Sequence, residues 1–181
     1  MSHGGADADA ATAVAIDRLG NVVMVGYFSD RIDFGGGELV SAGLGDVFVA
    51  KFAPDSTHVW SKRFGGALFD SAQAVVLRAD QSIVVTGHFR DSLRVGETVL
   101  ASTGDRDVFL IDLTAAGDVV AARALGGNGA DTSSGLAVNN AGDVYVGGSF
   151  SEEIDVGYGP LESVGAGDAF VAKFRESLQG P

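Results

Sequence analysis

The chain repeats itself every 61 residues, and that period constrains its fold more than any single residue does. Gly26, Gly87 and Gly148 stand 61 apart, as do Phe28, Phe89 and Phe150, and Asp46, Asp107 and Asp168. Gly65-Gly66 returns as Gly126-Gly127, and Gly4-Gly5 falls on the same grid. Self-similarity at a fixed period means that each copy is one supersecondary unit, stacked on its neighbours to bury its apolar faces. The first copy spans roughly 10–70, the second 71–131 and the third 132–181, with 1–9 as the remnant of a preceding turn.

Each copy carries the same four short apolar segments, apart from the last. The first is small and apolar, as in Ala13–Ile16, Ala74–Leu77 and Gly135–Val138; the second follows a tight turn, at Val22–Phe28, Ile83–Phe89 and Val144–Phe150. A long loop leads to the third, at Val47–Phe52, Val108–Leu113 and Ala169–Phe174. The fourth is Val59–Phe64 and Val119–Leu125. No segment sustains a helical period, which excludes ankyrin, tetratricopeptide and leucine-rich arrays, and a β-helix coil is too short for 61 residues. Four strands per repeat fit a propeller blade. Small residues in the first strand suit the crowded axis. Trp60, Lys62 and Arg63 in the fourth suit a partly solvated outer edge. The fold class predicted is all-β: a partial β-propeller of three four-stranded blades, the last lacking its outer strand.

The segments Gly-Asp-Val-Phe-Val-Ala-Lys-Phe at 45–52, Gly-Asp-Ala-Phe-Val-Ala-Lys-Phe at 167–174, Trp-Ser-Lys-Arg-Phe-Gly-Gly at 60–66 and 13–26 with its copies resemble the bacterial seven-bladed propeller, or SBBP, repeats. The resemblance covers nearly the whole chain. It implies the propeller fold and a secreted or surface-associated setting, and it assigns no chemistry. The loop holding Phe34-Gly35-Gly36-Gly37-Glu38-Leu39 is longer than the link many such repeats have.

The third copy ends level with Val59 of the first, so eleven strands are expected. Closed propellers carry roughly four to eight blades, so three leave two open faces. Such faces mark an interface or an aggregation hazard. Three explanations stay open: remaining blades in a longer chain, self-association of two copies into a six-bladed ring, or a free wedge.

Charge narrows the partners. With 24 acidic and 12 basic side chains the net charge is −12, a field that repels nucleic acid. There is no cysteine for a disulfide or thiolate site, and no apolar run of membrane-spanning length. The opening Met-Ser-His-Gly-Gly-Ala-Asp has neither the basic region nor the apolar core of a signal peptide.

Residues that recur in every copy read as structural. Asp46, Asp107 and Asp168 each follow a turn and precede a strand, where a carboxylate accepts backbone N–H bonds. The repeated glycines imply close packing or positive φ. Gly126–Asp131 matches the start of a calcium-binding nonapeptide, but Ser133 breaks the pattern and no tandem copy follows. It reads as an inter-blade turn, with weak calcium binding the minor alternative and no cofactor otherwise expected. His3, His58 and His88 have no metal-ligand spacing, Glu152-Glu153 point to opposite faces of a strand, and no nucleophile elbow or phosphate loop occurs.

Binding is expected where the copies differ and where loops gather at one end of the blades. Asp30, Arg31, Asp33, Arg90, Asp91, Arg94, Glu152, Glu153 and Tyr158 are the candidates there. Their mixed chemistry suits a protein segment or a carbohydrate. The function expected is therefore a non-enzymatic binding or scaffold module outside the cytoplasm. The alternatives are part of a propeller enzyme, such as a polysaccharide lyase or hydrolase with its site completed elsewhere, or a structural fragment without separate activity.

Overall fold

The structure is a computed structural model that describes residues 3–175 and 178. Blade 1 consists of β1 (Asp9–Ile16), β2 (Val22–Phe28), a hairpin of β3 (Arg31–Asp33) and β4 (Glu38–Val40), then β5 (Asp46–Phe52) and β6 (His58–Phe64). Blade 2 repeats this as β7 (Ser71–Leu77), β8 (Ile83–Phe89), β9 (Ser92–Val95), β10 (Thr98–Ala101), β11 (Asp107–Leu113) and β12 (Val119–Leu125). Blade 3 has β13 (Thr132–Val138), β14 (Val144–Phe150), β15 (Glu153–Asp155), β16 (Pro160–Glu162) and β17 (Asp168–Phe174). The rest of the third copy, apart from Arg175 and Leu178, lies outside the described residues, as do Met1 and Ser2.

The blade sheets are antiparallel, in the orders β1-β2-β5-β6, β7-β8-β11-β12 and β13-β14-β17. All three sheets agree with the sequence reading, including the three-stranded last one. The first strands sit together, with β7 touching both β1 and β13, so the sheets fan from their small-residue edges. One correction concerns the link between second and third strands. It is a β-hairpin in every blade and not a loop, so the described residues hold seventeen strands instead of eleven. Strands of three or four residues are too short to show a period in sequence.

The core lies between blades. One cluster joins Val23, Val25, Val47 and Val49 of blade 1 to Val75, Ile83, Phe109 and Ile111 of blade 2; a second joins Val84, Val108 and Leu110 to Val146, Phe170 and Phe174 of blade 3. All seven residues of β5 and of β11 are buried, whereas β17 alternates: Val171 is 74% exposed although its counterparts Val49 and Leu110 are fully buried. On the opposite outer face, blade 1 buries Phe28, Phe34, Phe48 and Phe52 under its own hairpin.

The periodic glycines serve a bulge. Pairing of each first strand with its second slips by one residue, between Ala11 and Ala13, Ala72 and Ala74, and Ser133 and Gly135. The bulge presses a carbonyl against the facing Cα. A Cβ on Gly26, Gly87 or Gly148 would lie 1.9–2.0 Å from the oxygen of Ala10, Ser71 or Thr132, with the ring of Phe48, Phe109 or Phe170 behind it. Close approach, and not positive φ, is why glycine recurs there.

Candidate functional site

Two sets of periodic aspartates organise the end of the blades where second strands finish and third strands begin. Asp46, Asp107 and Asp168 accept the N–H of the residue four earlier, Ala42 at 3.0 Å, Thr103 at 3.1 Å and Val164 at 2.6 Å. The expected turn-stapling role is what the structure shows. A Cβ on Gly65 or Gly126 would strike the Asp46 or Asp107 carboxylate, so those glycines make room for it. The second set is Asp9, Asp70 and Asp131, which accept the N–H of Gly5 at 2.7 Å, Gly66 at 2.8 Å and Gly127 at 3.0 Å. Thus Asp131, within the calcium-like stretch, folds its carboxylate onto its own turn.

Burial of these carboxylates is costly in the ionised form. Burial pushes Asp70 up to about 7 against the Gly66 and Arg90 N–H bonds, helped by the charges of Asp46 and Asp91. Burial likewise pushes Asp131 up to about 6, with the Asp107 charge adding to it. Asp46 is raised by burial too, although Arg63 donates to it at 2.6 Å.

At the far end, turn and third strand are joined by ion pairs whose signs change between copies. Asp17–Lys51 is 3.1 Å in blade 1, and Arg78–Asp112, at the equivalent positions, is 2.7 Å in blade 2. Burial opposes ionisation of Asp17, but bonds from Asn21, Lys51 and Leu19 outweigh it and bring the carboxyl down to about 2.

The hairpins act as clamps between neighbouring blades. Gly65 bridges Arg94, and Gly126 bridges Asp155, tying the turn after one blade to the hairpin of the next. Inward residues of each hairpin are buried apolar ones: Ile32, Leu93 with Val95, and Ile154. The hairpin tips reach the far end, where Gly36 meets the His58 ring, Gly96 meets Val119 and the Tyr158 hydroxyl donates to Lys173 O at 3.1 Å.

The predicted binding residues therefore do not all gather at one end. Asp30, Asp91 and Glu152 do lie at the hairpin bases, but they are 61 apart and share a left-handed backbone with φ 57–60°. Their carbonyls accept the N–H of Ser41, Ser102 and Ser163 at 2.8 Å each. Arg31, paired with Glu38, and Asp33, bound to the Gly35 N–H, line the first hairpin. Arg94 and Glu153 hold equivalent places near the later ones, and Tyr158 sits at a tip. Arg90 pairs with Asp105 at 3.2 Å on the near rim. Sequence reasoning read the stretch ending at Asp131 as an inter-blade turn but gave no role to its aspartate or to Asp9 and Asp70 at the same grid position, and it missed the hairpins.

His3 stacks near Phe34 and Phe52, His58 lies 3.2 Å from Ser61 Oγ, and His88 lies in β8. No group of three His, Cys, Asp or Glu able to hold a metal occurs among the described residues.

No family model matches the chain. It is similar to an uncharacterized WD repeat-containing protein of Acanthamoeba polyphaga mimivirus, 22% identical over 190 residues. That match takes in 92% of this chain but only 14% of the viral protein. Together with the fanned four-stranded sheets, this similarity points to the repeat-built, propeller-like β proteins as the chain's kin.

Proposed function

We propose that the chain is a non-enzymatic scaffold module that docks a protein partner through its clamped hairpins and near rim. One observation carries this reading. Each hairpin alternates, with buried apolar residues turned in (onto its own blade in the first, between blades in the second and third) and polar residues turned out, and the outward set differs between copies: Arg31 and Asp33, then Arg94, then Asp155. A rigid base with copy-specific exposed charge is how rigid repeats present a recognition surface. Similarity to a WD repeat-containing protein favours a protein over a glycan as the partner. The resemblance to surface-associated bacterial repeats favours a setting outside the cytoplasm.

The test is photo-crosslinking from position 90 or 94, followed by affinity measurement on the identified partner. Arg90→Glu with Arg94→Glu should weaken that affinity about tenfold or more, as loss of complementary charge does, with the melting temperature unchanged. Binding only to glycans overturns the choice of partner. Turnover of a polysaccharide that disappears with one unrepeated carboxylate overturns the module and favours the enzyme.

A further inference from the structure

The two blade junctions share a backbone and differ in what closes their rim, and we propose that the second is an oxyanion-binding site formed by His88, Arg90 and Arg106. At the first junction Gly45 and Phe69 form a parallel bridge, and the Asp70 N–H donates to Gly45 O at 2.9 Å. The Phe69 ring stands edge-on to Tyr27, centroids 4.9 Å apart. A Cβ at Gly45 would lie 2.8 Å from that ring, so the glycine admits it. This rim is an aromatic lid.

At the second junction the backbone is the same: Arg106 bridges Ala130, and the Asp131 N–H donates to Arg106 O at 2.8 Å. Four side chains change together. Tyr27 becomes His88, Phe69 becomes Ala130, Gly45 becomes Arg106 and Ser29 becomes Arg90. The ring is gone, and an arginine stands where the glycine that admitted the ring stood. The aromatic lid has become a cationic one, in a chain whose net charge is −12.

That rim leaves a buried guanidinium donor unmet. Arg106 Nε, always a donor, and His88 Nδ1, a donor in one neutral tautomer and an acceptor in the other, are buried atoms with no hydrogen-bond partner. Arg106 Nε is 3.9 Å from Asp105 Oδ2, beyond hydrogen-bond reach, while Arg90 Nη2 takes the same oxygen at 3.2 Å. Asp105 is thus one exposed carboxylate between two guanidiniums. Of the other nearby acids, Asp70 accepts from both the Gly66 and Arg90 N–H groups, whereas Asp107 and Asp131 accept through Oδ2 from Thr103 and Gly127 and keep a buried Oδ1 without a partner. An orphaned buried donor is costly, and an acceptor-only group satisfies it together with the neighbouring guanidinium N–H groups. Guanidinium forks match carboxylate and phosphate oxygens. Burial, then the charges of Arg106 and Arg90, push His88 down to about 4, which keeps the imidazole neutral beside them.

The site deepens the docking reading, since it supplies a pocket for a partner's carboxylate or phosphate, but free anions test it without any partner. Inorganic phosphate and acetate are titrated at low ionic strength into the full chain, with the His88 imidazole followed by NMR. Saturable binding with a Kd near or below about 10 mM is expected, together with an upward shift of the His88 titration by about one unit as the bound charge favours imidazolium. Arg106→Gly with Ala130→Phe installs the glycine and ring of the first junction. It should weaken phosphate binding about tenfold or more while preserving the melting transition; Arg106→Gln provides a second variant should the double one misfold. Phosphate alone binding assigns a phosphoryl group, and binding of both anions admits carboxylates; either bears the site out. No saturation by either anion, or equal binding by Arg106→Gln, overturns it. Failure here would remove the near rim from the docking surface and leave the hairpins, which Arg94→Glu alone tests separately.

Discussion

Gly87→Ala tests the account of the period at its most exposed point. The added methyl would sit 2.0 Å from Ser71 O, 2.7 Å from Ala72 Cα and 2.7 Å from Phe109 Cζ. Two of these three are backbone atoms of the bulged strand, so relief requires β7 to move by at least an ångström, and Phe109 blocks the other direction. Such a shift breaks one or two ladder hydrogen bonds beside a buried ring. At about 1–3 kcal/mol for each group left unsatisfied, the expected loss is about 3–5 kcal/mol. For a chain of this size that lowers the melting temperature by about 6–20 °C. Gly135→Ala is the control, because its Cβ would meet nothing within 4 Å at ordinary φ. It should be neutral or slightly stabilising. Urea unfolding of the three proteins decides the matter: a Gly87→Ala cost under about 1 kcal/mol, or one equal to that of Gly135→Ala, refutes the close-approach explanation.

Asp70, raised to about 7 from 3.8, holds its proton more tightly folded than unfolded, so its contribution to stability is complete below about pH 4 and is lost as pH rises through 7. Asp131 acts in the same direction up to about 6, whereas Asp17, lowered to about 2, stabilises above pH 4 and ceases to do so in strong acid. A carboxyl NMR midpoint for Asp70 below 5 would contradict this. Arg63→Ala should cost about 2–3 kcal/mol at pH 7, because it strands the fully buried Asp46, and less in acid, since burial already raises that carboxyl and a proton removes the stranded charge; an equal cost at neutral and acid pH would show that the loss is packing alone. Val14, 61% exposed on β1, and Val171 on β17 occupy positions that are buried in blade 2, so light scattering should give a concentration-dependent mass above 18.4 kDa that Val14→Glu lowers. A mass fixed at 18.4 kDa would refute that association.

The blades were legible in the sequence because their cause is collective. A bulge needs glycine opposite it, a buried carboxylate needs both a turn of amides and a missing Cβ nearby, and these demands return wherever the same backbone returns. Gly26, Gly87 and Gly148, and Asp46, Asp107 and Asp168, were read correctly as structural for that reason. The hairpins were not legible. Arg31–Asp33 and Glu38–Val40 place one inward apolar residue each in three, and the clamping partner, the turn after the preceding blade, is distant in sequence. Asp30, Asp91 and Glu152 looked variable because two residue types share the position, yet a common left-handed backbone unites them. Departure from identity is thus a weak sign of function when the backbone conformation accepts several polar residues.

Coordinated departure is a stronger sign. A lone exchange such as Asp30 for Glu152 leaves its surroundings as they were. The exchange of Asp17–Lys51 for Arg78–Asp112 reverses two charges at once and keeps the pair, so it conserves structure by other means. The rim of the second junction changes at four positions, and the outcome is not conserved: an apolar stack gives way to two guanidiniums around a single carboxylate, with two buried nitrogens unpaired. A small apolar side chain at position 106 would avoid the stability cost of a buried unpaired donor. An unpaired guanidinium nitrogen is costly while the rim is empty and is satisfied once an anion occupies it, which is the behaviour the proposed site requires.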